Sequence, residues 1–354
     1  MKKIDIITRA MTSGGAERVI AQLANFFVEQ NIKCRIITTE ECEIMYELDK
    51  RITVIPVGKK ANSKVLDRIA RYKVVRKTVL SERPDVVLTM PEDTGIYVIL
   101  SLIGTGIPVY VSERNNPWVM PDVKITRFLR KIAYPFAKGV IFQTEMAKSF
   151  FPKFIQKKGV VIGNPVDATR IPAPYEGERK KVIVGAGRLE KQKNFSLLIS
   201  AFAEFSKDVP GYELCIYGEG RLREQLEKEA DILRIADKVL LPGRKNNLLE
   251  LMNECSMFVL SSDYEGMPNV LIEAMCMGMP VISTDCQSGG PKELIQDHVN
   301  GLLIPVGDKT AMVAAMKEYV EIKNQKRMAA NAYKIKQKLV GKEIFEEWYR
   351  FLLQ

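Results

Sequence analysis

The sequence predicts an α/β protein made of two consecutive doubly wound domains. Three observations carry this: the length, an alternation of short apolar runs with helical patterns, and a proline-rich break at mid-chain after which the alternation restarts. The chain has 354 residues, too many for one ordinary core and suited to two domains of about 150 residues each. Hydrophobic residues make up 46% and charged residues 27%, a globular balance that excludes disordered and fibrous architectures.

In the first half, apolar runs at 4–8, 34–38, 53–57, 85–89, 109–112, 140–143 and 160–162 read as strands. Helical patterns occupy 16–30, 64–82, 94–103 and 124–136. Strand then helix, repeated, implies parallel βαβ units with helices on both faces of the sheet. Pro165, Pro172 and Pro174 then stand among polar residues between 164 and 180, which reads as an interdomain linker. The second half restarts with strands at 181–185, 213–217, 238–241, 257–260, 280–283 and 302–305 and helices at 194–207, 220–235, 246–254, 269–277 and 309–321. The tail from 325 is helical in pattern. The boundaries so drawn are 1–165, a linker at 166–180, a second domain at 181–330, and a C-terminal helix in 331–354 packing back toward the first domain. Ligands of such sheets bind beyond the carboxyl ends of the strands, so the useful residues should follow the strands and line a cleft between the two domains.

No apolar run approaches the roughly 18 residues of a membrane span. The opening MKKIDIITRA alternates like a strand and lacks the apolar centre of a signal peptide. Six cysteines contain no CxxC pair, and the single histidine leaves little for a zinc site. The expectation is a reduced, cytoplasmic protein without a structural metal. Charge is uneven: through Arg170 there are 28 Lys and Arg against 17 Asp and Glu, and from Ile171 onward 25 against 26. A basic first half suits an anionic partner, whether nucleic acid, membrane or phosphorylated substrate.

Three stretches carry candidate chemistry. After the first strand, Gly14 and Gly15 open a helix, where close backbone approach and unpaired N–H groups suit a phosphate; an ordinary βα turn has the same look. The spacing is neither GxGxxG nor a Walker loop, so dinucleotide and ATP readings lose ground. After the first strand of the second half, Arg188 is followed by Lys193. Arg grips two phosphate oxygens with its planar fork and Lys adds a point charge, where solvated loop cations are the plainer reading. The densest stretch runs from Ser261 to Ala274 and holds Glu265, Gly266, Met267, Pro268, Asn269 and Glu273. A carboxylate can receive two sugar hydroxyls at once, and the helix start meets a phosphate; capping and a solvated face are the alternatives.

In this order and near these spacings, GGAER (14–18), GRLEKQKN (187–194), YGEGRLREQLE (217–227) and EGMPNVLIEA (265–274) resemble the retaining glycosyltransferases of family 4, which have the GT-B fold. Glu265 and Glu273 meet that family's glutamate–seven residues–glutamate motif. GGAER and the run Ser112-Glu113-Arg114-Asn115-Asn116 resemble most the bacterial enzymes that extend sugars on polyprenyl-diphosphate carriers, including the PglH-like N-acetylgalactosaminyltransferases. The resemblance implies transfer of a hexose or N-acetylhexosamine from a UDP-sugar to a lipid-linked glycan, with retention and without a metal or other cofactor. By the same resemblance Gly14 and Gly15 face the donor diphosphate. Arg188 and Lys193 stabilise it as leaving group, and Glu273 holds the ribose. Glu265 with the Gly266–Asn269 backbone holds the donor sugar and phosphate, and Gly243 and Arg244 border the base. Arg188, Lys193 and Glu265 are thus the catalytic candidates. Many members carry a histidine after the fifth strand of the first domain; here Arg114 stands there, so either Arg114 or Glu113, with Asn115, takes the acceptor and sugar side, or this reaction type dispenses with the histidine. His298 reads as an exposed turn residue.

On a helical wheel of about 100° per residue, 124–136 collects Ile125, Phe128, Leu129, Ile132 and Phe136 on one arc and Lys124, Arg127, Arg130 and Lys131 opposite. Either this helix lies on an anionic bilayer with those four cations facing the membrane, or its apolar arc packs on the sheet and the cations meet solvent. The first option makes the protein peripheral on the inner face of the plasma membrane. A soluble GT-B enzyme on a non-lipid acceptor is the rival reading. Against a basic nucleic-acid-binding protein, the cations lack the interleaved aromatics that stack bases and no recognition motif appears, so no nucleic-acid partner is expected.

Overall fold

The computed structural model describes every residue except Ser13, Glu321 and Val340, and every described side chain except those of Ala168, Ile322, Asn324 and Lys338. The chain forms two compact units: Met1–Pro165 with Gly341–Gln354, and Val166–Val340.

The first unit holds seven strands: β1 (Lys3–Thr8), β2 (Lys33–Thr38), β3 (Thr53–Pro56), β4 (Val86–Thr89), β5 (Val109–Ser112), β6 (Gly139–Phe142) and β7 (Gly159–Val161). All pairs are parallel, in the order β3-β2-β1-β4-β5-β6-β7. The central strands β4, β5 and β6 are buried at every position, because helices cover both faces and leave no side for polar alternation. Helices Gly15–Glu29, Lys64–Glu82, Glu92–Leu102 and Lys124–Ala133 are the crossovers. Chain order reverses between β1 and β4, which opens the loops after these two strands toward a ligand.

The second unit holds β8 (Lys180–Ala186), β9 (Glu213–Tyr217), β10 (Val239–Gly243), β11 (Cys255–Leu260), β12 (Val281–Thr284) and β13 (Leu302–Ile304). Its parallel order is β10-β9-β8-β11-β12-β13, reversing between β8 and β11. Side chains leave the sheet alternately: Ile183, Met257 and Val259 join one apolar layer with Phe202 and Phe205, whereas Val184, Phe258 and Leu260 join the other with Leu271 and Met275.

Two stretches differ from the sequence reading. The proline-rich segment is part of the second unit, where Val166 and Ile171 are buried in its core. Arg179 donates to the carbonyls of Asn253, Cys255 (3.2 Å) and Gly278 (3.1 Å). Two apolar anchors and one guanidinium turn an expected linker into a strap. The C-terminal region divides: Ala332 and Ile335 lie in the second unit's core, and the helix Lys342–Leu353 packs on the first unit. There Trp348 is fully buried and donates to the Gly163 carbonyl at 3.4 Å, Phe345 meets Phe26 and Phe351 meets Tyr110. Helices Glu145–Ser149, Lys153–Gln156 and Gly290–Leu294 are too short for a period to show in sequence.

Candidate functional site

At the reversal point of the second unit, the turn after β8 and the loop after β11 are laced together. The Asp263 amide donates to the Gln192 carbonyl (2.9 Å), the Gln192 side chain to the Tyr264 carbonyl (2.9 Å), the Ser261 hydroxyl to the Lys193 carbonyl (2.7 Å) and the Asn194 amide to Asp263 (2.7 Å). Within this lacing the Lys193 ammonium meets Glu265 Oε1 at 2.6 Å, and the Ser262 hydroxyl donates to the same oxygen at 2.6 Å. The two side chains are only 14% and 9% exposed, so each charge needs the other. Arg188 is exposed; the Arg221 hydrogen bond holds the Glu190 carboxyl below its usual range against burial, which raises it, and the Arg188 charge adds a smaller lowering. Glu273 is buried in the helix Asn269–Cys276, whose first residue follows Pro268. The structure thus joins Lys193 to Glu265 and leaves Arg188 open beside them in sequence.

Two close backbone contacts shape this end of the sheet. Gly218 follows β9 with φ of 144°, and a Cβ there would lie 1.8 Å from the Gly187 carbonyl oxygen. A Cβ on Gly290 would lie 1.7 Å from the Gly266 oxygen, and the Ser288 hydroxyl donates to the Glu265 carbonyl. Only glycine permits either approach. Gly243 ends β10 and accepts from the Gly218 amide at 3.0 Å, while Arg244 beyond it is exposed. Gly266 and Met267 lie buried before the helix start.

In the first unit, the Gly14 amide already donates to the Tyr46 hydroxyl (2.9 Å), which donates in turn to the Gly14 carbonyl (2.6 Å). Gly15 begins the helix Gly15–Glu29. The loops after β4 and β5 hold a buried polar cluster that sequence reasoning found only in part. Arg114 donates its amide to Glu92 Oε2 (3.2 Å) and its guanidinium to Asn164 Oδ1 (2.5 Å), an oxygen shared with the Gln143 side chain (2.7 Å). Arg114 Nε and Nη1 are buried without a hydrogen-bond partner among the described residues. Burial lowers the Arg114 guanidinium to about 10, and the Glu92 charge opposes this. Glu92 itself is pushed up to about 8, first by burial and then by the Glu113 and Asp93 charges. Its position directly after β4 at the reversal point was the signal available in sequence. Asn115 is half-buried and accepts from the Asn116 amide at 2.9 Å.

Glu113 is corrected from a sugar-side candidate to an interior group. It accepts from the Tyr134 hydroxyl and pairs with Arg130 at 3.5 Å. Burial raises its carboxyl and the Arg130 charge opposes that rise. Arg130 departs from both readings of the basic helix, being neither membrane-facing nor in solvent. Arg130 faces inward, 4% exposed, donating to the carbonyls of Pro117 (2.9 Å) and Met120 (2.9 Å) and lying over the rings of Phe150 and Phe151. Arg127 reaches the Trp118 and Asp122 carbonyls, both at 3.4 Å. Lys124 and Lys131 alone of the four are exposed. Of the apolar arc only Leu129 packs against the core: Ile125, Phe128, Ile132 and Phe136 are 56%, 56%, 42% and 59% exposed. Buried Thr126, Arg130 and Ala133 form the inner face, because one guanidinium with two carbonyls, a carboxylate and two rings outweighs the apolar stripe. His298 is exposed in a turn with φ of 55°, next to Glu318 at 3.1 Å.

Residues 13–170 match the family described as Glycosyltransferase Family 4, and residues 168–335 match Glycosyl transferases group 1. The chain is 28% identical over 360 residues to a Campylobacter jejuni GalNAc-alpha-(1->4)-GalNAc-alpha-(1->3)-diNAcBac-PP-undecaprenol alpha-1,4-N-acetyl-D-galactosaminyltransferase, covering 100% of this chain and 99% of that one. It is also 28% identical to the N-acetylgalactosamine-N,N'-diacetylbacillosaminyl-diphospho-undecaprenol 4-alpha-N-acetylgalactosaminyltransferase of the same organism, covering 100% of both. Anabaena Alr3699/HepE in complex with UDP and glucose superposes with a TM-score of 0.85 at 19% identity over 99% of both chains. Staphylococcus aureus TarM does so with 0.83 at 14% over 100% of both. The GT-B fold follows from these superpositions.

Proposed function

Because the chain belongs to the family 4 and group 1 glycosyltransferases, matched across both halves, we propose that it moves a hexose or N-acetylhexosamine from a UDP-sugar to a polyprenyl-diphosphate-linked glycan. We place this transfer at the inner face of the plasma membrane, in assembly of a bacterial surface polysaccharide or glycoprotein glycan. The observation that carries the reading is the Lys193–Glu265 pair at the reversal point, with the exposed Arg188 five residues before Lys193 on the same turn. A nucleoside diphosphate entering there offers Lys193 phosphate oxygens in place of the carboxylate. Glu265, released, accepts hydroxyls of the donor sugar, and Glu273 accepts those of the ribose. Arg188 and Lys193 then stabilise the charge that grows on the departing diphosphate, a task fixed cations perform without a metal. The acceptor hydroxyl attacks the anomeric carbon from the side the diphosphate leaves, its proton passing to that leaving group, so the configuration is retained. The acceptor follows from the lipid-diphosphate substrates named for both Campylobacter relatives.

UDP and GDP release from a panel of nucleotide sugars, with and without bacterial lipid-linked oligosaccharide and with and without EDTA, tests the whole reading. Release of UDP that rises only with lipid and ignores EDTA supports it, and the anomeric proton coupling of the product reads retention. Release indifferent to lipid moves the acceptor to a soluble molecule; loss with EDTA ends metal independence.

A further inference from the structure

Both hydrogen bonds to the Glu265 carboxylate fall on one oxygen. The Lys193 ammonium and the Ser262 hydroxyl each meet Oε1 at 2.6 Å, and no described residue donates to Oε2. The exchange proposed for the site takes one of these donors away. Once a phosphate draws Lys193 off, Ser262 is the side chain that still holds Oε1. A hydroxyl bound to a carboxylate makes a short, charge-assisted bond, and a carboxylate as buried as this one is costly to leave without a donor.

Ser262 is itself buried and fixed from behind. Thr284, the last residue of β12, donates its hydroxyl to the Ser262 carbonyl at 2.6 Å, and the Cys286 thiol reaches the same oxygen at 3.5 Å. The Ser288 hydroxyl donates to the Glu265 carbonyl, and Gly290 lies against the Gly266 oxygen. Thr284, Cys286 and Ser288 are all buried. The chain between Leu260 and Asn269 is neither helix nor strand, so bonds of this kind give the loop its shape. A hydroxyl on a loose loop would follow the carboxylate wherever it turned, whereas one pinned at its own carbonyl directs it.

We propose that Ser262 is a positioning residue for the transfer: acting through Glu265, it keeps Oε1 anchored when Lys193 leaves and so aims Oε2 at the hydroxyls of the donor sugar. This role rests on the exchange proposed above for Lys193 and Glu265. Thr284 and Ser288 carry the anchor at one remove. The sugar of the donor, rather than its nucleotide, therefore depends on Ser262.

Calorimetry on the full chain measures binding of UDP alone and of the UDP-sugar that the release panel selects, beside steady-state UDP release. Ser262→Ala removes the hydroxyl, and Ser262→Cys keeps the volume with a poor donor, so that one variant carries the test where the other loses stability. Both should bind UDP within about twofold of the wild type, lose about five- to tenfold of the affinity that the sugar adds, and lower kcat by about tenfold. In a Glu265→Ala chain the same substitutions should leave the sugar's share of the affinity where Glu265→Ala has put it, because Ser262 then has nothing to hold. Affinities for UDP and UDP-sugar that fall together, or a loss at Ser262 that adds in full to that of Glu265→Ala, would reduce Ser262 to loop structure and overturn the proposal. Wild-type binding and turnover in both Ser262 variants, with a loss in Glu265→Ala, would remove Ser262 alone. Wild-type binding and turnover in Glu265→Ala would end the reading of Glu265, and the role of Ser262 with it.

Discussion

Glu92 offers the sharpest test of the buried cluster. It is 3% exposed after β4, with a single amide of Arg114 against Oε2 and the Glu113 carboxylate near. Burial moves its acid constant from an ordinary 4.5 to about 8. The folded state therefore holds a proton that the unfolded state has released, so stability is complete below about pH 4.5 and is lost as pH climbs toward 8. Over that span the loss has a ceiling of about 5 kcal/mol, and water entry and relaxation bring a realistic value to about 2–3 kcal/mol. Glu92→Gln keeps the shape and the acceptor for the Arg114 amide but never ionises. Urea unfolding of both proteins near pH 5 and near pH 9 isolates the effect, because every other titrating group cancels in the difference. The two should be within ~1 kcal/mol at the lower pH, with the variant more stable by about 2–3 kcal/mol at the higher. A gap that does not change with pH, or a variant less stable near pH 9, would mean that Glu92 is ionised in the fold as the counter-charge of Arg114, and the argument would fail.

Other outcomes follow from the same geometry. Lys193→Ala or Arg188→Ala should lower kcat/KM for the transfer by roughly 10²–10³, a loss of about 3–4 kcal/mol in transition-state binding; steady-state UDP release reads it, and near-wild-type turnover would remove either residue from the role. Lys193→Ala should also cost ~3 kcal/mol of stability by stranding Glu265, most of which Lys193→Ala with Glu265→Gln recovers, as urea melts will tell. Gly218→Ala sets a Cβ against the Gly187 oxygen at 1.8 Å and should destabilise the second unit by ~3 kcal/mol or more, visible as a lower Tm; an unchanged Tm would mean that these loops separate freely. Arg130→Met should destabilise the first unit by about 3–5 kcal/mol because it leaves Glu113 buried without its counter-charge, and Glu113→Gln in the same chain should return much of that in the same melt.

Much of the architecture was legible along the chain because it is local. Runs such as Val86–Thr89 and Cys255–Leu260 are too apolar for any place but a covered parallel sheet, and the helices between them are long enough to declare their period. Strand order then places the residues after β8 and β11 side by side, which is how Lys193 and Glu265, 72 positions apart, come to share a proton-donating contact. Their pairing was not written in either stretch. The same holds for the strap at 166–180: prolines announce a break in regular structure, but whether Val166 and Ile171 find a core is decided by what lies opposite.

The basic helix shows the division most plainly. Its amphipathic wheel, the apolar arc and the cationic arc, belongs to the sequence alone, since side-chain direction repeats with the backbone. Which arc turns inward belongs to the tertiary structure. Hydrophobic patterning assumes that apolar surface seeks the core, and it is overruled here because Arg130 meets two carbonyls, Glu113 and two aromatic rings at one point. Contacts of that kind join residues distant in sequence, so no periodicity can announce them, and they decide what this protein shows to the outside.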